Sequence, residues 1–218
     1  MAGGAAPARV GRGLRRTAAQ KSLRGLRREE VVAAARALVA GRGLEGLTFA
    51  ALEKELGYSR GVITYHFRDK EEIVEEVLQS ALAEIDADTS QEVARAEGFE
   101  EKIRAVLRSK LRGFTGSREA TTILLSFWGR LAFDKRARKL NAQLFAGYRE
   151  QSRALIEAGQ KAGVLAADAD PQALGALLVG TVIGLATQAW FDEGAIDLDR
   201  ALDEAAQAFS ARLRRSSN

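Results

Sequence analysis

Seven consecutive residues, Arg60-Gly61-Val62-Ile63-Thr64-Tyr65-His66, carry the side chains best suited to chemistry in this chain. His66 is the one histidine of the sequence, and cysteine is absent, which excludes disulfides. A metal site needs several ligands, and covalent catalysis needs a nucleophile held against a base. Neither can be assembled around a single histidine, so no catalytic residue, no metal and no cofactor is expected. The stretch suits recognition instead. A guanidinium presents parallel donors that match O6 and N7 of guanine, which makes Arg60 the candidate base reader. Gly61 admits close backbone approach, at a helix cost of about 1 kcal/mol relative to alanine. Val62 or Thr64 can set a methyl group against a thymine methyl. Tyr65, His66 and Lys70 are candidate phosphate contacts. For Tyr65 packing between helices, and for His66 a structural role, stay open as alternatives.

Such residues work only if a short helix presents them outward and buries its other face. Ile63 and Phe67 are four apart and can share that buried face. Ser59 caps the helix, residues 60–66, and is included among the DNA-contacting candidates. Before it, Thr48 caps a helix with the apolar stripe Phe49, Leu52 and Leu56, ended by Gly57. Two short helices across the turn Leu56-Gly57-Tyr58-Ser59 form a helix-turn-helix pattern over residues 48–67. A helix N-terminus binds anions through its free N–H groups, which adds Thr48 as a phosphate contact.

The remaining elements are also helical. Val31, Val32, Ala35, Leu38 and Val39 place a first helix at residues 23–41, stopped by Gly41 and Gly43. Asp69, with Glu72 at the third helical position, starts a helix whose stripe runs from Ile73 to Ile85 and can extend to about residue 95. Further helices are expected at 99–114, 119–133, 135–162, 171–192 and 199–214, with breaks at Gly98, Gly116, Gly163 and Pro171. The expected fold is all-α, with about nine helices: a three-helix head and a larger body. Residues 1–22 read as a disordered basic arm, 23–70 as the DNA-binding domain, and 71–218 as the ligand-binding and dimerisation domain.

Charge supports a nucleic-acid partner. Residues 1–28 hold eight of the 33 basic side chains and none of the 29 acidic ones, so the rest of the chain is mildly acidic. A basic arm is an electrostatic footprint for a polyanion. Arg24, Arg27 and Arg28 are its candidate phosphate or minor-groove contacts. No apolar run approaches the ~20 residues that cross a bilayer, and no signal-peptide core is visible. No membrane partner and a cytoplasmic location are therefore expected.

The residues Gly46-Leu47-Thr48-Phe49, then 56–67, then Lys70-Glu71-Glu72-Ile73 resemble the TetR family of bacterial regulators, over about residues 26–78. The resemblance implies a homodimer on a pseudo-palindromic double-stranded operator, with a small-molecule effector in the body weakening DNA binding. It assigns base reading to Arg60, Gly61, Val62 and Thr64, and backbone contacts to Tyr65, His66 and Lys70. Two departures matter. The family often has tyrosine where this chain has Thr64, and some members read a base with a polar residue where this chain has Ala50. Readout therefore leans on Arg60 and the arm.

Phe127-Trp128, residues 134–141, Tyr148, residues 159–163 and Asp170-Pro171 resemble the BetI-like subgroup of these regulators. Family members dimerise through their last two helices. The candidates here are Leu174, Leu177, Gly180 and Gly184 on the first and Leu202 and Phe209 on the second. Leu124, Phe127, Trp128, Phe145, Tyr148, Gln188 and Trp190 are the candidate pocket residues, although aromatics at helical spacing also build cores. With no evident cluster of buried charge, an apolar or aromatic effector is favoured. A ligand-released repressor is the expected function. An activator or constitutive repressor, a nonspecific architectural DNA protein and a helical enzyme are the rivals, in descending order.

Overall fold

A computed structural model describes residues 11–166 and 168–213, and side chains for 27–166 and 168–211. These residues form ten helices and no strand: α1 (Gly11–Gly46), α2 (Phe49–Leu56), α3 (Arg60–His66), α4 (Lys70–Asp86), α5 (Thr89–Arg95), α6 (Gly98–Gly116), α7 (Arg118–Trp128), α8 (Lys135–Lys161), α9 (Pro171–Phe191) and α10 (Leu198–Leu213). The all-α expectation holds. The chain divides into two compact units, Met1–Leu78 and Gln79–Asn218, with the division inside α4.

Three boundaries differ from the sequence reading. First, α1 begins at Gly11, so residues 11–22 are helical rather than disordered; residues 1–10 lie outside the described residues. After Pro7 the arm has no proline, and Leu14, Ala18, Ala19 and its basic residues all favour helix. The expected stop near residue 41 does appear as a kink, because Gly43 leaves helical geometry at φ 68° and ψ 179°. Second, the helix expected to reach residue 95 ends at Asp86, and α5 follows separately. Third, α7 stops at Trp128 rather than 133.

In the first unit, Val31, Ala35, Val39, Leu47, Leu52, Ile63, Phe67 and Ile73 form a sealed core. The caps follow the sequence. Thr48 Oγ1 accepts from Ala51 N at 3.1 Å, and Gly57, at φ 67°, closes α2 by donating to Glu53 O at 2.9 Å. Asp69 Oδ1 accepts from Glu72 N at 2.8 Å at the start of α4.

In the second unit, α8 packs along α9, and α6 packs against α5, α9 and α10. Two glycines permit close approaches here, of α6 to the end of α4 and of α9 to α8. A Cβ on Gly113 of α6 would lie 2.0 Å from the Ile85 carbonyl oxygen, and one on Gly175 of α9 would lie 3.1 Å from the Arg149 carbonyl oxygen of α8. Asp170 caps α9 through Gln172 N and Ala173 N, with Pro171 in the first turn. This helix corrects the expectation that no apolar run approaches membrane length. Its 21 residues carry no charge, an 18-residue stretch of it has mean hydropathy 1.6, and it is long and apolar enough to cross a bilayer by length and composition. Only 28% of that stretch is buried within the chain.

Candidate nucleic-acid interface and body cavity

The helix-turn-helix forms as its capping residues require. Ile63 and Phe67, both 0% exposed, fix α3 by its inner face. The 3.6-residue period then turns Arg60, Gly61, Thr64 and Tyr65 to solvent, with Val62 half-buried. Tyr65 is 61% exposed, so it does not pack between the helices; its ring meets His66 edge-on at 5.2 Å. Ser59 is exposed and makes no side-chain cap bond. Thr64 Oγ1 donates to the Arg60 carbonyl at 3.0 Å, which ties the hydroxyl to the helix. The Arg60 guanidinium rests over the Phe49 ring, 4.9 Å from its centroid. This stacking holds a long side chain near the exposed end of α3 and lowers the entropy lost on contact. A Cβ on Gly61 would find only Ser59 Oγ, at 4.0 Å. The fold therefore does not require glycine there.

Arg28 is not an arm contact. Its Nη1 donates to the His66 carbonyl at 2.6 Å, and its Nη2 bonds Glu72 Oε1 at 3.2 Å and Glu76 Oε1 at 2.7 Å. Its guanidinium also covers the Phe67 ring at 4.2 Å. A helix leaves its last carbonyls without intrahelical partners, and Arg28 supplies one to α3 while clamping α1 to the start of α4. The expectation of phosphate contact treated all arm arginines alike; a carbonyl and two carboxylates claim this one. Arg27 is exposed, and the Arg24 side chain lies outside the described residues. Glu72 is held below the usual carboxylate range, chiefly by the Arg68 backbone N–H, then by the Arg68 and Arg28 side chains. Lys70 is half-buried in the first turn of α4.

In the second unit, a cavity of about 490 Å3 lies between α5, α6, α8 and α9. Of the expected pocket residues, only Tyr148 lines it. Leu124 and Phe127 are 1% and 3% exposed and fill the core instead. Trp128 donates Nε1–H to Asn141 Oδ1 at 2.9 Å and stands 6.1 Å from the Phe145 ring. Gln188 Nε2 donates to the Gly184 carbonyl at 3.1 Å, and Arg118 covers Trp190 at 5.1 Å. The residues that do line the cavity include Lys102, Val106 and Lys110, spaced one turn apart on α6. That spacing was visible in the sequence. The α5 wall was not anticipated, although Thr89 and Glu92 have a helix-start spacing.

At one edge of the cavity Asp86, the last residue of α4, takes two partners. Lys110 Nζ donates to Oδ1 at 2.6 Å, and the Tyr148 hydroxyl donates to Oδ2 at 3.0 Å. Lys110 Nζ also lies 4.8 Å from the Tyr148 ring centroid. Burial first, then the Asp86 charge, pushes the Tyr148 phenol far above its ordinary value, so it donates as a neutral hydroxyl.

The expected dimer residues divide. Leu174, Leu202 and Phe209 are at most 9% exposed, so they face the core of their own chain; α10 spends its apolar stripe on α6. Leu177 is 60% exposed and Phe191 78%, and a Cβ on Gly180 or Gly184 would meet nothing within 4 Å. These residues lie on one open face of α9.

Comparison with known proteins agrees with this architecture. The family described as bacterial regulatory proteins of the tetR family matches residues 31–77, and that described as BetI-type transcriptional repressor, C-terminal, matches residues 99–214. The HTH-type transcriptional regulator BetI of Vibrio campbellii is 23% identical over 141 residues, covering 62% of this chain and 71% of BetI. The HTH-type transcriptional repressor AcnR of Corynebacterium diphtheriae is 40% identical over 82 residues, 38% of this chain and 40% of AcnR. A TetR regulator from Chloroflexus aurantiacus superposes with a TM-score of 0.77 at 22% identity, covering 89% of this chain and 100% of its own. A protein from Saccharomonospora viridis, solved in complex with choline, superposes at 0.71 with 21% identity, covering 88% and 99%. The chain belongs to the TetR family of DNA-binding transcriptional regulators, with a body of the BetI type, and is not an enzyme.

Proposed function

We propose that the protein is a homodimeric repressor, released from a pseudo-palindromic operator by a small molecule held in the body. The observation that carries this reading is the pairing of an exposed reading face, Arg60-Gly61-Thr64, with a lined cavity at the end of α4. In this reading residues 23–70 read DNA, and residues 71–218 bind the effector and the partner copy. Tyr65, His66 and Lys70, with the starts of α2 and α3 at Thr48 and Ser59, contact phosphates and fix register; Arg60 reads the groove, with Val62 and Thr64 beside it. Arg27 and Arg24 add arm contacts. The open face of α9, Leu177, Gly180, Gly184 and Phe191, meets its counterpart on a second copy, which accounts for an apolar helix so little buried in one chain. Such a protein works in the cytoplasm, where its DNA is.

Release follows from the Asp86 contacts. Asp86 ends the helix that begins at Lys70, beside the reading helix in sequence, and is held by Lys110 and Tyr148, both cavity residues. An occupant that disturbs either partner alters how α4 is held. Two reading heads must sit about one helical turn of DNA apart, ~34–36 Å, so a small change in α4 weakens binding. The choline in the Saccharomonospora viridis protein supports a small-molecule site in this fold. Fluorescence anisotropy of a labelled operator tests the reading. A cavity ligand should release the operator from the wild type and not from Tyr148→Ala. If ligands that occupy the cavity leave operator affinity unchanged, the protein is not an effector-released repressor.

A further inference from the structure

The geometry points to an organic anion with an apolar body, rather than a quaternary ammonium, as the effector class of this cavity; the inference rests on the effector-released reading above. Most of the wall is apolar, including Val93, Val106, Leu155 and Val182, so the body of the ligand must be apolar too. The charged residues lining it are Lys102 and Lys110, and no aspartate or glutamate is among the lining residues. Lys102 has no carboxylate partner among the described residues, although Lys110 has Asp86. A half-buried lysine in the lining of an apolar cavity, without a carboxylate partner among the described residues, offers its charge to an anion.

A cation would find its two usual partners already taken. Quaternary ammonium ions are held by aromatic faces or carboxylates. The ring of Tyr148 carries the chain's own Lys110 ammonium 4.8 Å from its centroid. Asp86, the acid at the cavity edge, accepts from both Lys110 and the Tyr148 hydroxyl. Phe114, the other aromatic of the lining, is 7% exposed and cannot form a cage alone. The carboxylate of an anionic ligand is thus assigned to Lys102 of α6, with Gln151 of α8 as a neutral donor in the same lining and the tail along Val106 and Val182.

Calorimetric titration of the full-length protein with matched ligand sets tests this. Each set shares one apolar body and differs in its head: decanoate, decanamide and decyltrimethylammonium, then 4-phenylbutyrate, its amide and its trimethylammonium counterpart, with choline alongside. The carboxylate of a set should bind about 10-fold or more tightly than its amide and its ammonium. Lys102→Met should erase that preference while leaving amide binding intact, which also shows that the variant is folded; Lys102→Arg should keep it. Choline or an ammonium head binding as tightly as the carboxylate, or a preference surviving Lys102→Met, overturns the anionic class but not the effector-released reading. If no member of either set binds, the anionic class is overturned, while the effector-released reading is decided separately by operator release in the anisotropy measurement.

Discussion

In the head, Leu47, Leu52, Ile63 and Phe67 are at most 1% exposed and pack against one another, whereas the body keeps about 490 Å3 open among α5, α6, α8 and α9. A reading helix must hold its exposed residues to a fixed geometry, and a closed core at native packing density gives it that rigidity. The effector-responsive role proposed for the body needs space, which the cavity has, and polar groups that can change partners, for which Asp86, Lys110 and Tyr148 at its edge are the candidates. The same contrast appears in how each unit uses arginine and lysine. Arg28 is spent inside the head on a carbonyl and two glutamates, while Lys102 lines an open cavity without a carboxylate partner among the described residues.

Paired substitutions in the two units test this contrast, and the largest effect belongs to the closed core. Leu52→Ala should destabilise the head by about 2–5 kcal/mol in denaturant unfolding, the usual cost of emptying a filled site. Its counterpart, Val179→Phe in the cavity wall, should cost less than the roughly 1–3 kcal/mol of overpacking a dense core, and should block ligand titration. Equal costs for the two would remove the distinction. Gly61→Ala should stabilise the head by about 0.5–1 kcal/mol, since the new methyl group has open space and alanine favours helix, yet weaken operator binding. Unchanged DNA affinity would show that no backbone approach occurs at that position. The smallest effect is electrostatic. Glu72 has its pKa lowered on folding, so its contribution is present above the usual carboxylate pKa and fades as pH falls through the depressed value. Wild-type stability minus that of Glu72→Gln should therefore be small and positive near neutrality and shrink under acid.

How much of this was legible in the sequence depends on what fixes each residue. The helix-turn-helix was legible because its signals are local: Thr48, Gly57 and Asp69 cap within four residues, and Ile63 and Phe67 share a face by period alone. The role of Arg28 was not, because its partners lie 38 to 48 residues away in sequence. The cavity was missed for the same reason. Aromatic residues such as Phe127 and Trp128 attract attention by type, but whether they fill a core or face a void is decided by packing of distant helices. Lys102 and Lys110 share one face of α6 by spacing alone, but what that face meets is set by α5 and α8, which the spacing does not reveal. The apolar length of α9 lies in its composition, although glycines, threonines and glutamines divide it into shorter hydrophobic runs.

In the proposed reading, Arg60 reads sequence from a helix whose own fold does not need it. Selecting bound duplexes from a random pool, in parallel with wild type and Arg60→Ala, tests this most directly. The wild type should enrich a two-fold symmetric site with half-sites about one helical turn apart, ~34–36 Å. Arg60→Ala should lose preference at one symmetry-related position in each half-site, cost about 1–3 kcal/mol in affinity, and unfold at the same denaturant concentration. An identical motif from both proteins, or no motif from the wild type, would contradict the account.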